Sequence, residues 1–238
     1  MQMSNLRKAS DLANHYGVKS IIYGTPGSGK TPLVATAPRP VALICEPGML
    51  SMRGCSIPCF EAYTQSAIDE FFKWALTSKE MSNFDTLCID SISNIAEIVL
   101  AEKLKKMKHG MQAYGAMSEY VYNKACELYY LKNKHVVMIG KQGSFENGKT
   151  TMIQDGTVIT EPVMQMRPYF PGKELNIKMP HLFDNVMQLT RISIQGFNEP
   201  QRALRTRECS EAFARDRVGN LAEFEQPDLT ALFKKSMG

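Results

Sequence analysis

Residues 24–31 match the pattern G-x-x-x-x-G-K-[ST] at every fixed position and read Gly24, Thr25, Pro26, Gly27, Ser28, Gly29, Lys30 and Thr31. The apolar run 20–23 precedes them and is typical of a buried strand. Glycines in such a turn let backbone N–H groups point inward at phosphate oxygens. A chance match of a glycine-rich turn is the alternative, and the preceding strand argues against it. We therefore expect these eight residues to bind a nucleoside triphosphate.

Two side chains of this loop have separate chemical roles. Lys30 offers a positive charge to the β- and γ-phosphates, and Thr31 offers a hydroxyl to Mg²⁺. A helix that begins near Gly29 adds the positive end of its dipole. Pro32 suits its first turn, because the N–H groups there have no intrahelical partner. The loop therefore predicts a nucleoside triphosphate and Mg²⁺ as cofactors.

The composition indicates a globular protein with one well-buried domain, at 238 residues, 44% hydrophobic and 22% charged. Six scattered cysteines favour reduced thiols in a cytosolic compartment over a disulfide framework. No apolar run approaches the ~20 residues that a membrane span needs. We therefore predict a cytoplasmic protein without a membrane partner. The net charge of +4 does not by itself argue for nucleic acid.

Two further apolar runs end in a carboxylate. Residues 41–45 are followed by Glu46, and residues 84–89 are followed by Asp90. Ligands bind at the carboxyl edge of open parallel sheets, where the phosphate loop is also expected. Asp90 is therefore predicted to hold Mg²⁺ together with Thr31. Glu46 is a candidate catalytic residue, and a solvated turn residue is the alternative.

We predict an ATPase domain over residues 18–238, preceded by an N-terminal segment, residues 1–17, that is a candidate subunit contact. Residues 143–180 form a long excursion with little that could form a core. Within it, residues 150–160 predict a β-hairpin with an Asp-Gly turn at 155–156. Residues 186–195 and 202–209 predict an antiparallel pair of strands.

Two segments are candidates for contact with single-stranded DNA. Residues 103–108 carry four lysines and lead into a glycine-flanked stretch with Tyr114, ahead of a helix predicted over 118–134. A solvated helix end is the equal alternative for these lysines. Residues 143–180 interleave positive charges with aromatic side chains, which suits backbone attraction plus base stacking. The residues are Lys149, Arg167, Lys173, Lys178, Phe145, Tyr169 and Phe170. A flap that contacts a neighbouring subunit is the alternative for this excursion.

The phosphate loop, the glutamate directly after the second strand (Glu46) and the strand that ends at Asp90 together resemble the RecA-like core ATPases. Residues 202–206 and 213–219 are similar to the terminal strand region of that superfamily. Over about residues 17–235, the size and order of these features are most similar to compact bacteriophage RecA-core proteins, including single-strand annealing and recombination proteins. The fold class expected is α/β, with a mostly parallel central sheet flanked by helices and a C-terminal antiparallel hairpin.

The resemblance also implies roles for individual residues. Glu46 would polarise the attacking water, and Asp90 would hold Mg²⁺. Gln142 would sense the γ-phosphate, and Arg215 and Arg217 would reach the γ-phosphate bound by the neighbouring subunit. Residues 105–117 and 143–180 lie where the DNA-binding loops of RecA-like proteins are found.

The predicted function is a Mg²⁺-dependent ATPase, stimulated by DNA, that binds single-stranded DNA as a homo-oligomer, either a ring or a filament. It would act in phage DNA recombination by strand annealing or exchange, in the host cell cytoplasm if phage-encoded. A single-strand-binding protein is a further candidate partner. The alternatives on the same core are a DNA helicase or helicase loader, and a nucleotide-switched binding module with little hydrolysis. The presence of Glu46 argues against the switch.

Overall fold

The structure, a computed structural model, describes Leu6 and residues 8–13, 16–154 and 157–238. Within these residues the helices are α1 (Ala9–Ala13), α2 (Lys30–Val34), α3 (Gln65–Thr77), α4 (Ile92–Lys106), α5 (Gly110–Tyr129), α6 (Glu174–Leu182) and α7 (Leu229–Met237). The strands are β1 (Lys19–Gly24), β2 (Pro40–Ile44), β3 (Cys59–Glu61), β4 (Thr86–Asp90), β5 (His135–Gln154), β6 (Thr157–Tyr169), β7 (Asn185–Ile192), β8 (Gln201–Arg205), β9 (Arg215–Asp216) and β10 (Phe224–Glu225). The N-terminal segment predicted over residues 1–17 lies partly outside the described residues.

The strands form one mixed sheet in the order β10-β8-β7-β1-β5-β4-β2-β3. From β7 to β3 the neighbours are parallel, whereas β8 and β10 are antiparallel additions at one end. β6 pairs with the second half of β5, and β9 pairs with the start of β7. The predicted α/β fold is confirmed, with a mostly parallel central sheet and the C-terminal antiparallel pair β7–β8.

The central strand β1 is buried along its whole length. Ile21 and Tyr23 pack into one hydrophobic cluster, with α3, α4 and α5, and Ile22 packs into a second cluster, with α2 and α7. Alternate side chains of a strand point to opposite faces, so helices must cover the sheet on both sides. The Tyr23 hydroxyl lies 2.9 Å from the carbonyl oxygen of Met166 and so ties β1 to β6.

The helix that the sequence predicts from Ser118 already begins at Gly110. Ala113 and Met117 are fully buried and lie four residues apart, on the helix face that packs into the core. The two glycines of this stretch suggest a break, but burial of that face outweighs the roughly 1 kcal/mol that a glycine costs within a helix. Residues 103–117 are therefore the end of α4, a short connection and the first turns of α5.

The excursion over residues 143–180 contains two different structures. β5 and β6 form the predicted hairpin, with Gln154 opposite Thr157, and the predicted turn at 155–156 lies outside the described residues. The residues that follow β6, up to 180, pack into the core, because Phe170, Leu175 and Met179 are fully buried. The expectation that Phe170 is available for base stacking is wrong for that reason.

The amino edge of the sheet, opposite the phosphate loop, buries a charged side chain. Lys19 is fully buried, and its Nζ donates to the carbonyl oxygen atoms of Leu131 (2.9 Å) and Lys134. Burial lowers the pKa of Lys19 from 10.5 to about 8, and the negative charge of Asp184 acts in the opposite direction. Folding therefore favours the neutral form of this lysine.

We predict that replacing Lys19 by methionine changes how stability depends on pH. Between pH 8 and pH 10.5 the unfolded chain binds more protons at Lys19 than the folded chain, so folding stability gains from rising pH. The free energy of unfolding of the wild type minus that of K19M should rise by roughly 3 kcal/mol between pH 7 and pH 10.5. Urea denaturation at each pH measures it, and a difference that does not vary with pH would contradict the prediction.

Candidate active site

The phosphate loop joins the carboxyl end of β1 to the start of α2. Gly27 and Gly29 have φ angles of 76° and 99°, in the left-handed region that other residues rarely adopt. At Gly24 the reason is space, because a methyl group there would lie 2.6 Å from the carbonyl oxygen of Leu189. Ser28 N donates to the carbonyl oxygen of Thr25 at 3.2 Å and closes the turn. Backbone geometry therefore fixes the glycine positions of the loop.

Lys30 lies folded over this loop. Its Nζ donates to the carbonyl oxygen atoms of Gly24 at 2.8 Å and Thr25 at 2.9 Å. Burial lowers the pKa of Lys30, while the negative charges of Glu46 and Asp90 raise it. The ammonium group is thus partly dehydrated and close to two carboxylates, so its interaction with an anion is stronger than in water.

Glu46 is held beside the loop by the start of α4. β2 and β4 are neighbours with Ile44 opposite Asp90, so residues that follow both strands leave the sheet together. Ser91 Oγ donates to Glu46 Oε1 and accepts from the backbone N–H of Asn94, as the N-cap of α4. The N-cap that begins the helix therefore also orients the Glu46 carboxylate.

Asp90 and Thr31 fit a magnesium site. Asp90 is only 3% exposed. Burial raises the pKa of its carboxyl group, and a hydrogen bond from Thr31 lowers it. The negative charge of Glu46 raises the same pKa, and the positive charge of Lys30 lowers it. Carboxylate and hydroxyl oxygens are ligands that Mg²⁺ accepts, usually alongside substrate phosphates and water. The two adjacent oxygen donors therefore suit an ion that the phosphate chain would share.

A cleft of about 520 Å³ opens above the loop and is lined by Pro26, Lys30, Glu46 and Gln142, among others. The Gln142 Oε1 accepts from Gln188 Nε2 at 3.1 Å, which links β5 to β7 across the end of β1. The structure thus brings Lys30, Glu46 and Gln142 to one cleft. Asp90 is buried beside them.

An ion pair in the cleft is not apparent from the sequence. Lys141 Nζ lies 2.6 Å from Glu97 Oε2 and 3.3 Å from Asn94 Oδ1, and both partners are on α4. Lys141 and Glu97 are 44 residues apart, so no local spacing rule connects them. The only sequence signal is that Lys141 comes shortly after the buried apolar residues 136–139.

A family model described as AAA domain (AAA_24) matches residues 16–218. The chain belongs to this AAA family. Similar solved structures include the KaiC-like protein PH0186 from the hyperthermophilic archaeon Pyrococcus horikoshii OT3, at 13% identity over 79% of this chain and 77% of that chain, with a TM-score of 0.41. The flagellar accessory protein FlaH from Methanocaldococcus jannaschii is similar at 11% identity over 86% and 84%, with a TM-score of 0.40. No curated protein matches the chain.

This AAA domain holds Arg215 and Arg217 away from its own phosphate loop. β9 pairs with the first residues of β7, so both arginines lie at the amino edge of the sheet. Arg215 Nη2 donates to the carbonyl oxygen of Pro180 at 2.9 Å. Arg217 Nη1 donates to Asp184 Oδ1 at 3.0 Å and lies 3.1 Å from the Tyr129 hydroxyl. Their predicted contact with a neighbouring subunit stays a prediction.

A different arginine lies at the loop. Arg202, on β8, packs on the α-carbon of Gly29, where an added methyl group would meet its Nη1 at 2.9 Å. The sequence shows it only as one of several arginines near the C-terminus, because the contact joins residues far apart in the chain.

Across the described ranges, no helix is long and apolar enough to span a membrane. In that same part of the chain, no three His, Cys, Asp or Glu side chains come together as a metal site. Cys55 and Cys59 are free thiols.

We predict that Glu46→Gln separates nucleotide binding from hydrolysis. The amide keeps the shape of the side chain but cannot accept a proton from water, so the ATP turnover number should fall at least about 100-fold. The affinity for ATP should change less than about threefold, because Glu46 does not belong to the phosphate loop. Lys30→Ala should instead abolish binding itself.

Glu61→Gln is the matched control, since Glu61 is an exposed residue at the end of the neighbouring strand β3. Isothermal titration with ATP and a phosphate-release assay provide the two readouts. Unchanged turnover in E46Q, or equal losses in E46Q and E61Q, would contradict the assignment.

Proposed function

We propose that this AAA domain is a Mg²⁺-dependent ATPase. The observation that carries the proposal is that Lys30, from the phosphate loop, and Glu46, held by Ser91, line one cleft, with Asp90 buried beside them. Phosphoryl transfer leaves the protein little covalent chemistry, so positioning and charge account for most of the catalysis. The cleft offers a cation for the phosphates, a general base for the attacking water and two oxygen ligands for the metal.

In this mechanism each residue has one task. The N–H groups of the loop bind phosphate oxygens, and Lys30 exchanges its carbonyl acceptors for the β- and γ-phosphates. Glu46, held by Ser91, orients the attacking water and accepts its proton. Gln142 faces the same cleft and would contact the γ-phosphate. Mg²⁺ held by Thr31 and Asp90 would supply further positive charge to the phosphates when bound.

We further propose that single-stranded DNA is the partner and that residues 103–117 make most of the phosphate contacts. This stretch carries four lysines and no acidic residue. In residues 143–180, four basic residues are offset by four acidic ones. Attraction to a phosphate backbone depends on a local excess of positive charge, so the balance favours the first segment.

Contacts of α4 and α5 support this location for the DNA. Glu102 Oε1 accepts from the backbone N–H of Gln65 at 3.0 Å, at the start of the helix that follows β3. Tyr114 packs against Gly172, three residues after the β6 residue that pairs with Lys141 in the cleft. The segment therefore lies on the nucleotide side of the sheet. Its Tyr114 is 41% exposed and offers a ring for base stacking.

Strand annealing or exchange in phage recombination is the role that the RecA-core resemblance favours for such a protein. A helicase or helicase loader on the same core would unwind a duplex with a fixed direction, whereas an annealing protein would pair complementary strands without doing so. A nucleotide-switched module would bind its partner without appreciable turnover.

We predict that replacing Lys105, Lys106 and Lys108 by alanine weakens binding of single-stranded DNA. Each lost phosphate contact lowers the slope of log affinity against log salt by about 0.7, so the slope should fall by about 2. Fluorescence anisotropy of a labelled oligothymidylate at several salt concentrations measures it. The DNA-stimulated part of the ATPase rate should fall with it, while the basal rate should not change.

The control replaces three exposed lysines outside residues 103–117, Lys73, Lys79 and Lys132, and so removes the same net charge. Equal weakening in both triple variants would show that the position of the lysines does not matter. A wild-type protein that hydrolyses ATP but neither binds DNA nor responds to it would rule out DNA as the partner.

We also propose that the active form is a homo-oligomer in which Arg217 reaches the site of the next subunit. Arg217→Ala should lower ATP turnover by about 1,000-fold, the usual effect of removing an arginine finger. Mixing R217A with K30A should restore activity, because K30A subunits supply the arginine to intact R217A sites. Thermal unfolding of R217A reports its separate structural role. A mixture no more active than its parts would contradict a role across the subunit interface.

A further inference from the structure

Arg202 covers the phosphate loop on the side away from Glu46. The sheet order places β7 and β8 on one side of β1, and β5, β4 and β2 on the other. The γ-phosphate end of the site lies toward Asp90 and Glu46, which follow β4 and β2. The rest of a nucleotide therefore extends toward β8. The Arg202 guanidinium lies in that direction, with its Cζ 3.0 Å from a methyl group placed on Gly29.

The Arg202 side chain is exposed. Arg205, Arg215 and Arg217 each donate to an intrachain acceptor. Arg202 has no such hydrogen bond or ion pair with any residue in the ranges that the structure describes. An exposed arginine that packs one face of its guanidinium against the phosphate loop, and whose donors make no hydrogen bond, is available to a ligand.

A cavity of about 530 Å³ begins at Arg202. Ile194 and Phe197, from the β7–β8 connection, line it, and so do Pro227 and Asp228, just ahead of α7. Ile194 is 41% exposed and Phe197 is 60% exposed. The cavity therefore brings the Arg202 guanidinium together with two apolar side chains that are only partly buried.

Hydrogen bonds fix this cavity relative to the phosphate loop. Thr36, two residues beyond α2, accepts through Oγ1 from the backbone N–H of Leu229 at 2.9 Å. Its carbonyl oxygen accepts from the Thr230 hydroxyl at 2.7 Å. The segment that follows the loop and the start of α7 are thus joined, so the cavity wall keeps its position when the loop is occupied.

We propose that this cavity binds the nucleoside end of the triphosphate, with the base stacked on the Arg202 guanidinium. Guanidinium planes stack favourably on aromatic rings. Phe197 supplies apolar surface for the base. Asp228 caps α7 through Oδ1, which accepts from Ala231 N at 3.0 Å, and can accept a ribose hydroxyl through Oδ2. Arg202 is then a residue that selects nucleotides over other polyphosphates. The inference rests on the proposed ATPase, because the loop must first bind the phosphates.

The experiment compares MgATP with inorganic tripolyphosphate, which carries the phosphates without a nucleoside, by isothermal titration. The wild type should bind ATP at least about 10-fold more tightly than tripolyphosphate. R202A should lose most of that preference through weaker ATP binding, while its affinity for tripolyphosphate changes less than about twofold. R202K, which keeps the charge but loses the planar group, should resemble R202A. Arg207→Ala is the control, since Arg207 is an exposed arginine whose Nη2 lies 3.4 Å from the carbonyl oxygen of Leu221, away from the loop.

Each other outcome overturns the inference in a recognisable way. Equal losses for both ligands in R202A, restored in R202K, would make Arg202 a phosphate contact instead. A wild type that binds both ligands equally would show that the nucleoside contributes nothing, and the ATPase proposal would stand. A wild type that binds neither would overturn both proposals. Phe197→Ala provides a second test should R202A unfold, and unchanged ATP preference in it would contradict the cavity as the base site.

Discussion

The parallel pairing of β1 with β5 on one side and β7 on the other positions the whole nucleotide site. Gly24 lies opposite Lys141, and Tyr23 lies opposite Gln188, so the loop and the polar residues of the cleft leave the sheet at the same level. A slip of one residue would turn every buried side chain of β1 to the opposite face. The hydrophobic core on both faces therefore fixes the position of the phosphate loop, and the loop residues need to supply only its local shape.

A lysine ammonium group donates to backbone carbonyl oxygens near each end of β1, Lys19 at the amino end and Lys30 at the carboxyl end. Burial lowers the pKa of both lysines. Lys19 is enclosed by the core, so its acceptors are permanent and its role is structural. Lys30 faces an open cleft, and its two acceptors belong to the loop itself. A phosphate group can replace those carbonyls, because an anion stabilises a partly dehydrated cation better than a neutral dipole does. The same side-chain chemistry thus serves stability at one edge and ligand binding at the other.

The parts of the site that the sequence predicts are those that depend only on strand order. Glu46 and Asp90 each follow an apolar run, and parallel strands bring such residues to one edge. The Lys141–Glu97 pair and the packing of Arg202 on Gly29 depend instead on contacts between distant residues, which no local pattern encodes. Phe170 illustrates the same limit within the fold. Its segment is flanked by Arg167 and Lys173, yet Phe170 is buried in the same hydrophobic cluster as Leu175 and Met179 of α6.

The arginines between residues 202 and 217 form one cluster in the sequence but two groups in space. Arg202 pairs with Arg191 near the carboxyl end of β7, and Arg215 pairs with Val186 near its amino end. Five residues of strand separate these positions, or about 17 Å. One triphosphate bound at the loop therefore cannot be contacted by both groups of the same chain. If Arg217 neutralises a γ-phosphate, that phosphate has to be bound by another subunit, whereas Arg202 lies at the phosphate loop of its own chain.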